Sequence, residues 1–108
     1  MNVRRYLWQR ATAAIMLPLV LLHVAVIFYA TRQGMSAAEI LARTRGSVLW
    51  AAVYGVFVVA AAVHVSIGVR NVLIEWSPLR DRGAGILANA FGLVLLALGL
   101  RAVAAVVL

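Results

Sequence analysis

Three long apolar stretches, separated by two short polar segments, set the pattern of this chain. They run over residues 11–30, 48–69 and 84–105, the last continuing as an apolar tail to Leu108. Each is close to the ~20 residues an α-helix needs to cross ~30 Å of hydrocarbon. The pattern predicts an all-α membrane protein with three transmembrane helices, forming one anchor domain over 1–108. Arg4 and Arg5 precede the first stretch, as in a secretory signal. That stretch is too long for one, contains His23 and lacks a small-x-small cleavage site, so it is read as a retained span. In the first polar segment, Ser36-Ala37-Ala38-Glu39 is a capping-box pattern and Gly46 supplies a stop, which predicts a short interfacial helix over 37–45. In the second, Ser77-Pro78 breaks the preceding helix and starts a turn.

Composition changes this picture only by sharpening it. The chain has 108 residues, 66% of them hydrophobic and 12% charged, which is too apolar for an ordinary soluble domain. It contains no cysteine. That excludes an iron–sulfur cluster, a thiolate haem ligand and covalent haem attachment within this chain, and leaves non-covalent haem open. The net charge is +7 and all ten basic residues are arginine. A basic chain invites a nucleic-acid reading. Here the arginines sit at the ends of the spans, so membrane topology explains them and no nucleic acid is implied. An N-inside arrangement places Arg4, Arg5, Arg10, Arg70, Arg80 and Arg82 in the cytoplasm, against Arg32, Arg43, Arg45 and Arg101 on the far side. The first group hugs the membrane ends, as positive-inside topology prefers. Arg101 is read as snorkelling to the outer interface. Trp8, Trp50 and Trp76 are read as belt residues near span ends.

Two histidines interrupt the apolar stretches. His64 stands inside the second, where an imidazole is costly without a partner and marks a functional site. A metal is the least costly partner, and imidazole suits iron. Gly68 lies one turn further on the same face, where a missing side chain lets something flat approach the backbone. Glu75 returns to that face about three turns from His64, near the membrane surface. His23 interrupts the first stretch. Helical rise places it ~20 Å from Arg10, and His64 ~9 Å from Arg70. If both arginines mark one membrane surface, the histidines differ in depth by roughly 10 Å. Two axial ligands of one iron must face each other at one level, so these two are not expected to share an iron within one chain. The alternative for His23 is a hydrogen bond to a backbone carbonyl, which Pro18 makes available by freeing that of Ala14, or a place lining the bundle.

The segment His64-x-x-x-Gly68-x-Arg70, followed by Glu75, resembles the second-helix signature of the cytochrome b membrane-anchor subunits of succinate dehydrogenase and fumarate reductase. Trp8-Gln9-Arg10-Ala11-Thr12-Ala13 is similar to the start of their first helix. Length and three-span layout extend the resemblance over nearly the whole chain. It implies haem b as cofactor, with His64 as an axial ligand. It also implies a ubiquinone or menaquinone pocket at the cytoplasmic face near Arg10, Glu75 and Trp76. Two-haem members carry one histidine in the first helix and one in the second, each completed by a histidine from the other half of the anchor. On that pattern His23 and His64 each serve one haem. Arg10 and Arg70 have guanidinium forks that match haem propionates or quinone oxygens. The implied partners are a flavoprotein subunit, an iron–sulfur subunit, a second anchor subunit or second copy, and the lipid bilayer. The chain would then be a non-catalytic, multi-pass subunit of an oxidoreductase in the cell inner membrane. It departs from the pattern at Gln9, where many members have His, at Ala13 for Gly, at Glu75 for Asp and at Trp76 for Tyr. An indole lacks the acceptor and acidic proton of a phenol. Two other readings share the same spans: a haem-free structural or assembly protein of the membrane, and a cytochrome b that serves another dehydrogenase.

Overall fold

The computed structural model describes residues 2–108, in which four helices and no strands occur. Three are long and apolar enough to cross a membrane: α1 (Val3–Arg32), α3 (Val48–Trp76) and α4 (Asp81–Val107). The fourth, α2 (Ala37–Thr44), lies in the first connector. The molecule measures 48 × 23 × 22 Å, the shape of a bundle about one long helix tall.

The long helices exceed the spans that hydropathy predicts, because what ends a helix is local chemistry and not the edge of the membrane. α1 begins at Val3 rather than near residue 11: Asn2 caps it by accepting the Arg5 N–H at 2.8 Å, and no breaker follows. It passes through Pro18 as a continuous helix. α3 runs to Trp76 rather than 69. It stops where Pro78 bars Ser77 from helical dihedrals, so Ser77 takes φ −136° and ψ 166°. The second connector is correspondingly short, and α4 starts at Asp81.

The interfacial helix forms as its capping box predicts, one residue shorter than 37–45. The Glu39 N–H donates to Ser36 Oγ at 3.2 Å and the Ser36 N–H donates to Glu39 Oε2 at 3.0 Å. Gly34 and Gly46 bracket it with φ of 61° and 70°, a region that favours glycine. The segment then reaches across to α4. The Gly46 N–H donates to the Val107 carbonyl at 2.8 Å, and the Thr44 hydroxyl donates to the Val106 carbonyl at 2.6 Å. Two carbonyls that the last turn of α4 leaves without helical partners are thereby satisfied.

α3 is the central helix, with α4 against one side and α1 against the other. The α3–α4 contact is close because its residues are small. Ala84 and Ala88 are fully buried, and a β-carbon on Gly92 would collide with Ser66 Oγ. The α1–α3 contact is a narrow seam. Only Arg5, Gln9, Thr12, Met16, Leu19, His23, Val26 and Ala30 of α1 are buried or half-buried. Their alternating spacing of four and three residues is that of a left-handed helix crossing. Between Arg10 and Thr31 the rest of α1 is apolar and outward-facing, a surface suited to lipid or to another helix.

Candidate functional site

The α1–α3 seam carries both histidines, one near each end. At the end next to the N-terminus, Thr12 is the most buried residue of α1, at 4% exposure. Its hydroxyl oxygen lies 2.8 Å from the Trp8 carbonyl, 3.1 Å from the Gln9 carbonyl and 3.2 Å from His64 Nδ1 on the facing helix. No group among the described residues hydrogen-bonds the other ring nitrogen of His64. One turn along α3, a β-carbon on Gly68 would meet Gln9 Nε2 at 3.4 Å, so the space at Gly68 admits the Gln9 side chain. Gln9 Oε1 is buried there without a hydrogen-bond partner.

Beyond Gly68 the same end becomes charged. Arg70 is buried at 9% exposure and its guanidinium lies 3.4 Å from Asp81 at the start of α4. Two adjoining cavities open around this pair. One, of about 570 Å³, is lined by Arg5, Ser66, Arg70, Asp81, Arg82 and Asn89. The other, of about 330 Å³, is lined by Asn2, Arg5, Arg70, Asn71, Glu75 and Asp81. Arginines from α1, α3 and α4 therefore converge on one polar groove, with Glu75 and Asp81 at its edge.

The other end of the seam is apolar. His23 projects against α3, its ring edge-on to Tyr54 at 5.6 Å and to Phe57 at 5.7 Å. Trp50 stacks on Tyr54 at 5.5 Å. A cavity of about 360 Å³ opens beside them, bounded also by Thr44 of α2 and Gly99 of α4. His23 Nδ1 is buried and has no partner. His64 lies about 10 Å further along α3 than Phe57. The two imidazoles thus occupy different depths.

Residues 2–98 match the family model for the succinate dehydrogenase/fumarate reductase transmembrane subunit. The chain belongs to that family. No curated protein and no solved structure matches it. Membership makes it a membrane subunit of a larger complex, and its three apolar helices make it multi-pass.

Within this transmembrane subunit the sequence-predicted residues fall into separate places. Arg70 and Glu75 share the polar groove. Arg10 is exposed, off the α1–α3 seam, and among the described residues it makes no ion pair with Glu75. Trp76 is 83% exposed at the end of α3. Trp50 is half-buried and stacks on Tyr54 beside His23. No group of three or more His, Cys, Asp or Glu side chains gathers among the described residues to hold a bare metal ion. A haem iron needs only one or two protein ligands, since the porphyrin supplies the rest. Sequence reasoning named Thr12 and Gln9 only within the first-helix motif and Arg5 only for topology, and passed over Asp81. A readable signal existed for the first three: they recur at four-and-three spacing with His23, which puts polar side chains on one buried face.

Proposed function

We propose that this subunit is the haem b-binding membrane anchor of a succinate:quinone or fumarate:quinone oxidoreductase. It lies in the cell inner membrane with its N-terminus in the cytoplasm. The observation that supports this most directly is His64. In a member of this family, it is an imidazole deep in a span, held at Nδ1 by a buried hydroxyl and free at its second nitrogen. That arrangement fits an axial ligand. The orphaned Nδ1 of His23 beside an open apolar cavity fits a second ligand position, to a second haem completed by another anchor chain. Bound haem supplies a one-electron store or relay between the iron–sulfur subunit and the quinone.

The remaining work falls to the polar end. Arg5, Arg70 and Arg82 present guanidinium forks to anionic groups such as propionates. Glu75, at the edge of the same groove, connects it to cytoplasmic protons that quinone reduction consumes. Arg10 faces outward, where a ubiquinone or menaquinone pocket would be closed by the iron–sulfur subunit or the second anchor. Trp76, exposed at the end of α3, would contribute to that pocket. The flavoprotein and iron–sulfur subunits dock at this basic end.

The test is a reduced-minus-oxidised visible spectrum of the purified complex. The expected result is a low-spin b-type signal that tracks the amount of this subunit. A complex with full succinate or fumarate activity and no such signal favours the haem-free structural reading.

A further inference from the structure

Thr12 has one proton on its hydroxyl and three neighbours within hydrogen-bond distance. Two of them, the carbonyl oxygens of Trp8 and Gln9, can only accept. The Trp8 distance of 2.8 Å is that of a well-formed O–H···O bond. If the proton turned instead toward His64, two oxygen atoms would face each other at 2.8 Å with no hydrogen between them, in a site that is almost fully buried. The hydroxyl proton therefore goes to the backbone of its own helix, a common geometry for threonine. Oγ1 is left as an acceptor, and the group that fills it is the Nδ1–H of His64 at 3.2 Å.

We propose that Thr12 is the positioning residue of His64: it holds the proton on Nδ1 and so keeps Nε2 bare for an iron. A neutral imidazole carries one proton, and which nitrogen holds it is decided by the bond the other makes. Metal-ligating histidines are oriented in this way by a second hydrogen bond, which also increases the electron density they offer the metal. Here the orienting group comes from a different helix. The readiness of the ligand on α3 thus depends on α1 being docked, and the seam serves as more than packing. The iron part of this proposal rests on the haem reading above; the tautomer part does not.

Two measurements separate them. In the full haem-free chain, reconstituted in lipid nanodiscs with ¹⁵N-labelled histidine, the nitrogen shifts report the tautomer directly. His64 is expected as a single Nδ1–H form, Thr12→Val to release it to the Nε2–H form, and Thr12→Ser to restore it. In the purified complex, Thr12→Val is expected to weaken haem retention roughly 10- to 100-fold and to raise the midpoint potential of one haem. Thr12→Ser should return both. A wild-type His64 protonated on Nε2, or a Thr12→Ser variant that behaves like Thr12→Val, overturns the proposal. A complex without haem but with the Nδ1–H tautomer in the chain removes the haem reading and leaves the role of Thr12 standing.

Discussion

The two ends of the α1–α3 seam place the same side chain in opposite circumstances. His64 has a hydroxyl at 3.2 Å and a charged groove one to two turns away. His23 has aromatic rings, an apolar cavity and an unpaired nitrogen. The first arrangement ties one ring nitrogen to the chain and leaves the other open. The second leaves a buried polar atom unsatisfied, which costs on the order of 1–3 kcal/mol until something meets it. The chain alone therefore orients one histidine through Thr12 and leaves the other without an orienting bond, each with a nitrogen for a bound group or a neighbouring chain to meet.

The sharpest way to break this comparison is to remove each histidine in turn. His64→Ala is expected to abolish one low-spin component of the spectrum of the complex, and His23→Ala to abolish a different one. Redox titration of both variants reads the two components separately. Loss of the same component in both would place the ligands at one iron, against the separation in depth.

Arg10→Leu comes next in size. The expected outcome is a several-fold fall in quinone reduction while succinate oxidation by an artificial dye stays near wild type, because on the proposed function the flavin and clusters lie on other subunits. Measuring both activities on the same membranes decides it. A parallel loss would mean that Arg10 serves docking, not the quinone.

His23→Phe acts on stability. In the haem-free chain it removes the orphaned nitrogen and suits the Tyr54 and Phe57 rings, so thermal unfolding in detergent is expected to show a gain of roughly 1 kcal/mol. A loss of stability would show that His23 is satisfied by a group of the chain itself. Asp81→Asn should have the smallest effect. Asp81 is 79% exposed, so its pair with Arg70 contributes at most about 1 kcal/mol, and the melting profile is expected to shift barely at all.

Much of the fold was legible in the sequence. Three apolar runs of membrane length predict three spans, and Ser36 with Glu39 predicts α2, because both signals are local. Helix ends were less legible. Hydropathy reports where the membrane is, whereas α1 and α3 end where Asn2 caps and Pro78 forbids. His64 and His23 stood out because a polar residue in an apolar run is conspicuous by itself. Thr12 did not, since a threonine near a span end is unremarkable until the helix facing it is known. The partnership with His64 crosses fifty-two positions of chain and exists only through the packing of two helices. Trp50 shows the same limit: its position near the start of α3 suggests a belt residue, and its stacking on Tyr54 beside His23 is visible only in the folded chain.

The tie between the first connector and the end of α4 bears on how the protein is made. Thr44 and Gly46 bond carbonyls at Val106 and Val107, at least sixty residues later in the chain. During synthesis, the connector is made before those carbonyls exist. The connector must then wait, unlatched, until the third span arrives. Maturation of the protein thus closes on its earliest loop, and a protease acting on nascent chains should cut between Arg43 and Ser47 until the last span has been inserted, and not afterwards.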